Sequence, residues 1–440
     1  MIKSVKAPVA IAALVALSAC GVFKGHGRKT PVLGDRVPIL VSESDAKPDP
    51  SLAGVQVLLP DPVANTEWTQ SGGNASKSMQ QLALGDSLSR VWTARIAGGS
   101  DRARLAAAPI VADGHLYAID VNAVVHSFDA TTGAAGWTTE IAQGDRYRDA
   151  RFGGGVSYEG GKLYATDGLG DVVALNAKDG SVIWRVRPGS PLRGSPTLAN
   201  GQIYVLSQDN QLYALDQSDG KVAWTASGSL ESQGVFGVAA PAAAQGTIVA
   251  GFSSGELNAY RYENGRSLWG DALSRTSIST SVSSLADIDA DPVIDQGRVY
   301  AVGQGGRMVA TDITTGQRAW EQDFAGLSTP AVAGEWIFLI TDDAKLVCIA
   351  RGTGKIRWIS QLRAFKNVKK HKDAIYWKGP VVAGNRLVLV NALGQVVFAS
   401  PADGHVEQTI ETKSSFSLPP VVANDTLYLL DQNGQIMAYR

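Results

Sequence analysis

The chain has 440 residues, 40 of them lysine or arginine against 41 aspartate or glutamate, for a formal net charge of −1. That balance excludes the basic excess through which nucleic acid is bound. The length would ordinarily divide into two or three domains, but internal repetition argues for one large repeat fold instead.

Lys3 and Lys6 precede a small, apolar run from Ala7 to Ala19 that ends in Leu17-Ser18-Ala19-Cys20. The run is shorter than the ~20 residues of a membrane-spanning helix, and its basic start and small-residue end describe a secretory signal peptide over residues 1–19. Leu17-Ser18-Ala19-Cys20 resembles the lipobox of bacterial lipoproteins, which implies that Cys20 is acylated and holds the chain on a membrane. Each buried acyl CH₂ contributes about 0.8 kcal/mol, so two or more chains anchor stably. Gly21, rather than Asp, follows the cysteine, which favours the outer membrane. With Cys20 acylated, Cys348 has no partner, and its setting in Lys345-Leu-Val-Cys-Ile reads as a buried thiol. Residues 20–65 carry Pro31, Pro38, Pro48, Pro50, Pro60 and Pro62 and read as a flexible or extended tether.

From residue 66 to 440 the chain repeats. Taking Pro109, Val156, Pro196, Pro241, Pro292, Pro330, Pro380 and Pro420 as the start of each repeat, an aromatic or valine column follows: Tyr117, Tyr164, Tyr204, Val249, Tyr300, Phe338, Val388 and Tyr428. A glycine column follows at Gly133, Gly180, Gly220, Gly265, Gly316, Gly354 and Gly404. Four residues on stand Trp137, Trp184, Trp224, Trp269, Trp320 and Trp358, with Gln408 in the seventh slot. A period of roughly 40–50 residues suits a four-stranded propeller blade. Asn200-Gly201 and Asp113-Gly114 are hairpin dipeptides. Stretches such as Gln211-Leu-Tyr-Ala-Leu are too short for helices and rich in strand formers. The tryptophans read as glue between blades.

The last repeat stops at Arg440, before any outer strand, whereas Arg90-Val91-Trp92-Thr93 is an outer strand with no inner strands before it. The two halves make one blade. The expectation is an all-β, eight-bladed β-propeller of four-stranded antiparallel blades, closed by pairing of N-terminal and C-terminal strands, which leaves no free sheet edge.

The pattern Gly-x-Leu-Tyr-Ala-Leu-Asp…Gly…Trp resembles the repeat of quinoprotein-type propellers. Combined with the lipobox, the proline-rich tether and the eight repeats, it resembles the outer-membrane assembly factor family BamB. That resemblance implies a non-catalytic scaffold of the β-barrel assembly machine, without a cofactor, which docks on the periplasmic domains of BamA. Two acidic residues of a long interblade loop take part in the family's contact; the matching stretch places that role on Asp287 and Asp289. A second family loop carries two leucines and an arginine; here Gln233, Val235 and Phe236 stand there, so one apolar position survives and the arginine does not. The loops between outer and inner strands emerge on one rim, where binding residues concentrate, and residues 228–240 and 270–291 are among the candidates. A second long loop holds Lys366, Lys369, Lys370 and Lys372 and reads as a solvated face.

Two rival functions use the same fold: a quinoprotein dehydrogenase with PQQ and calcium in the central funnel, and a cell-wall or polysaccharide-binding propeller. Asp287-Ile-Asp-Ala-Asp imitates the start of a calcium loop, but Pro292 stands where glycine is needed and Arg298 where glutamate is needed. Gly303-Gln304-Gly305-Gly306 falls on a strand turn and not before a helix, where a phosphate would bind. The histidines show no metal-ligand spacing.

Overall fold

The computed structural model describes residues 46–100, 102–144, 147–192, 194–230, 239–273 and 287–440, all within one compact unit, Ser44–Arg440. The expected signal peptide, Cys20 and the first part of the expected tether lie outside the described residues.

Eight four-stranded antiparallel sheets form the ring, numbered blades 1 to 8 in chain order by their innermost strands: Ile110–Ala112, Val156–Glu159, Thr197–Ala199, Ala242–Ala244, Val293–Asp295, Ala331–Ala333, Trp377–Ala383 and Val421–Ala423. Blade 3 is representative, with strands Thr197–Ala199, Gln202–Leu206, Gln211–Asp216 and Val222–Ser227 paired in chain order from the inside outward. Its first turn places Asn200 at φ 54° and Gly201 at φ 73°, the double left-handed conformation that a two-residue hairpin demands. The outer strand bulges opposite Ala214 and Leu215, and Ala214 faces Trp224 across the pair. The same small-against-large pairing recurs as Ala174 with Trp184, Ala259 with Trp269, Ala310 with Trp320 and Cys348 with Trp358. Cys348 therefore occupies the alanine column as a small apolar side chain, and burial pushes its thiol well above the usual range. In blade 7 the pairing is inverted: Gln408 replaces the tryptophan and Phe398 replaces its small partner.

Each tryptophan leaves its own blade to bind the next one. The indole N–H groups of Trp92, Trp137, Trp184, Trp224, Trp269, Trp320 and Trp358 donate to the carbonyls of Ala130, Ala177, Gln217, Tyr262, Ile313, Arg351 and Pro401, at 2.7–3.1 Å. The glycine column of the following blade lies flat on the indole. A Cβ on Gly133 would come within 2.6 Å of Trp92, and one on Gly316 within 2.5 Å of Trp269. Glycine is needed twice over, for its positive φ and for this contact. Burial of ~150–250 Å² per tryptophan at ~25 cal/mol/Å² contributes on the order of 4–6 kcal/mol per blade interface before entropy is counted.

Blade 8 is composite: Arg90–Arg95 forms its outer strand against Gln435–Tyr439, with Thr426–Leu430 and Val421–Ala423 inside. Trp92 faces Ala438, repeating the alanine–tryptophan pair of the other blades. Ser89 and Arg440 exchange two backbone hydrogen bonds, at 2.9 and 3.0 Å, and lock the junction.

From Ala46 the chain is laid along the ring. Asp49 N donates to Ile356 O at 2.8 Å, Lys355 pairs with the Asp49 carboxylate at 3.1 Å, and Val57 and Leu59 pack against the core between blades 6 and 7.

Candidate functional site

Antiparallel order gives the ring two unlike rims. The hairpins joining first to second strands share one rim. The crossings from an outer strand to the next inner strand share the other. At the hairpin end, residues 65–82 run around the inside of the ring and bind every blade in ring order. Asn65 Nδ2 donates to Val422 O of blade 8 at 2.8 Å, and Trp68 and Val111 of blade 1 exchange backbone bonds at 2.7 and 2.9 Å. Tyr158 N of blade 2 donates to Thr69 O at 2.8 Å. The Gln70 side chain pairs with both backbone groups of Leu198 in blade 3, at 2.9 and 3.3 Å. Ala243 N of blade 4 and Ile294 N of blade 5 donate to Ala75 O and Ser76 O, each at 2.8 Å. Gly334 N of blade 6 donates to Gln80 Oε1 at 3.0 Å, and Leu82 N donates to Val382 O of blade 7 at 3.0 Å. This strap escaped the sequence reading because its serines, glycines and glutamines carry no periodicity and resemble a solvated loop.

Between the strap and the blade-opening prolines Pro109, Pro330, Pro380 and Pro420 lies a cavity of about 130 Å³. Trp68 and Met79 supply apolar wall, and Lys77, Lys378, Asp289 and Asp291 supply charge. Lys77 Nζ donates to Thr197 Oγ1 at 3.1 Å, and Lys378 Nζ to Leu327 O at 3.1 Å. Burial lowers the Lys77 ammonium to about 8 against the pull of Asp291. It lowers Lys378 as well, against Asp289, Asp342 and Asp291. Burial in turn raises Asp342 to about 6, with Lys378 opposing. Asp291 is engaged within the protein, accepting from Ala240 N at 2.7 Å and Ser71 Oγ at 2.6 Å.

The acidic pair is buried: Asp287 is 1% and Asp289 8% exposed. The last residues before a blade-opening proline have already turned down from the rim into the channel. Ile288 N binds Phe252 O at 3.3 Å, and the Ile288 side chain packs where Gly251 leaves room for it. Asp289 faces the cavity and its lysines. Val235 and Phe236, expected beside the pair, lie outside the described residues.

The cavity does not fit calcium. That ion takes 6–8 oxygen ligands, whereas here two ammonium groups share the space with carboxylates that already serve them and the strap. A pair of adjacent cysteines to carry a quinone is also missing from the sequence. Among the described residues no cluster of three or more His, Cys, Asp or Glu could hold a metal.

A closed ring of eight four-stranded blades, glued by tryptophan and laced by an inner strap, defines a protein of the eight-bladed propeller class. Solved structures of that class include BamB from Moraxella catarrhalis, with TM-score 0.66 and 19% identity over 80% of this chain and 100% of that one. A europium-containing methanol dehydrogenase is as close in shape, with TM-score 0.68 and 13% identity over 85% of this chain and 98% of that one. Shape alone thus spans assembly factors and enzymes. Sequence separates them: residues 121–360 match the family described as outer membrane protein assembly factor BamB, and the chain belongs to that family. The Yersinia pestis outer membrane protein assembly factor BamB is 26% identical over 355 residues, covering 80% of this chain and 88% of the relative.

Proposed function

We propose that this protein is a non-catalytic scaffold lipoprotein of the outer-membrane β-barrel assembly machinery. Acylated Cys20 holds it on the periplasmic face of the outer membrane, and it docks on the periplasmic domains of BamA. The observation that carries this reading is the family match combined with a channel whose charged groups are engaged with one another. A funnel closed by a strap bound to every blade leaves the rims as working surfaces. The docking surface is the crossing rim around residues 228–240 and 270–291. Asp287 and Asp289 close the second of these crossings as its acidic residues, and Val235 and Phe236 would supply apolar contact of the kind that anchors interfaces. The PQQ-dependent reading loses support from the lining of the cavity.

Extraction of membranes in mild detergent, capture of the tagged protein and mass spectrometry test this proposal. BamA is expected among the strongest partners. A quinone absorbance band in the pure protein, with no BamA captured, would overturn it.

A further inference from the structure

The crossing between blades 6 and 7 builds a small sheet of its own outside the ring. Phe365–Asn367 pairs with Lys372–Ala374, and a single turn, Val368–Lys370, joins them, its N-terminus capped by Asn367 accepting from Lys370 N at 3.1 Å. The Phe365 and His371 rings stack at 5.3 Å and 16°. Arg363 braces the base through the carbonyls of Phe365 and Lys366, at 3.1 and 2.8 Å. The hairpin is therefore internally ordered, yet residues 366–374 are all exposed.

Its surface is strongly basic. Lys366, Lys369, Lys370 and Lys372 stand with Arg363 against the single acidic residue Asp373, in a chain whose overall charge is close to neutral. Neighbouring lysines are paired, Lys345 with Asp343 and Lys355 with Asp49. Among the described residues, none of the four hairpin lysines forms an ion pair. Large apolar side chains are exposed among these charges: Val368 at the tip is 60% exposed and Tyr376 at the base 65%.

We propose that this hairpin is a contact site for an anionic phospholipid bilayer. A convex projection offers no groove to seat a peptide, but it can rest its charges on a flat anionic surface and insert Val368 into the headgroup region. Lysines, as flexible point charges, suit a diffuse field of headgroups better than a fixed carboxylate, which arginine would clamp bidentately. Tyrosine favours the water–lipid boundary. Each lysine near an anionic leaflet strengthens binding by about fivefold.

The test uses the chain from residue 20 onward with Cys20→Ser, which keeps the whole ring and strap and carries no acyl chain. Co-sedimentation is compared on phosphatidylcholine vesicles with and without about 30% phosphatidylglycerol, a composition that supplies the surface charge. Binding to the anionic vesicles is expected to exceed that to the neutral ones on the order of a hundredfold, and to weaken as salt screens the surface. A variant with Lys366, Lys369, Lys370 and Lys372 all changed to Gln should lose that preference, and the matching Lys→Arg variant should keep it. Both should retain the wild-type melting temperature. Equal binding to the two vesicles, or an anionic preference that survives the Gln variant, would overturn the proposal. So would retention on immobilised polyglutamate without retention on anionic vesicles, which would point to an acidic protein.

Discussion

Trp92 and Tyr428, 336 positions apart in the sequence, donate to the same carbonyl oxygen, that of Ala130, at 3.1 Å each. Their rings tilt together at 5.9 Å and 51°. The same device ties blade 1 to blade 2, where Tyr117 and Trp137 share Ala177 O, and blade 2 to blade 3, where Tyr164 and Trp184 share Gln217 O. At blade 8 it joins the strand that closes the ring to the strands it completes. A carbonyl has two lone pairs, so either donor alone still satisfies it. Tyr428→Phe should therefore cost ~0.5–1.5 kcal/mol, as for one ordinary hydrogen bond. The double variant Trp92→Phe, Tyr428→Phe should cost ~1–3 kcal/mol more than the two singles added, because Ala130 O is then buried without a donor. Urea unfolding of the four proteins reads this directly; additivity would contradict the shared acceptor.

Two glycines with the same backbone separate conformation from contact. Gly114 and Gly133 both have φ 72°, but a Cβ on Gly114 meets nothing within 4 Å while one on Gly133 strikes Trp92 at 2.6 Å. Gly114→Ala should cost only the left-handed penalty of ~1–2 kcal/mol. Gly133→Ala should add ~1–3 kcal/mol of overpacking and shift the tryptophan emission. Equal losses in melting temperature would show that the indole contact is unimportant.

Much of this architecture was legible beforehand because its causes are periodic. Pro420 without an outer strand and Trp92 without inner ones announced blade 8, and the Gly133 and Trp137 columns marked the turn and outer strand. What a repeat cannot announce is an element used once. The strap from Asn65 to Leu82 belongs to no column, although it binds all eight blades. The depth of Asp287 and Asp289 is illegible for a related reason: loop length locates a crossing on its rim but does not say where the crossing turns inward, which depends on Ile288 finding the space beside Gly251.

The strap has its own test in Gln70, whose side-chain amide stands in for a strand backbone against Leu198. Gln70→Ala leaves the Leu198 N–H and C=O without these partners inside the ring, which should cost ~1–3 kcal/mol per orphaned group. Hydrogen exchange at the Leu198 amide should accelerate while Ala199 and the outer strand of blade 3 stay protected. Unchanged protection at Leu198 would mean that the strap does not hold blade 3.

Asp167 gives the fold a pH signature. It is fully buried, its Oδ1 accepts from the Leu169 and Asp171 amides at 2.9 Å, and its Oδ2 has no hydrogen-bond partner among the described residues. Burial raises its pKa to about 6, with the Asp171 and Leu169 amides and Arg187 opposing and the Asp171 charge adding. A carboxyl raised on folding binds its proton more tightly in the native state, so stability is greatest below its ordinary pKa and is lost as pH rises to about 6. The loss is on the order of 2–3 kcal/mol. Asp167→Asn keeps the accepting oxygen and removes the charge. It should raise the melting temperature at pH 7.5, leave it nearly unchanged at pH 4, and flatten the profile between. A variant less stable at pH 7.5 would contradict this.

If the ring is the docking body for the assembly machine, calorimetric titration of residues 44–440 with the purified periplasmic domains of BamA should give saturable one-to-one binding without any acyl chain. Binding should weaken when Val235 and Phe236 are changed to Ser. No heat of binding at concentrations well above those of the partners in the membrane would contradict it, all the more if the same preparation oxidised alcohols when supplied with PQQ and a metal ion.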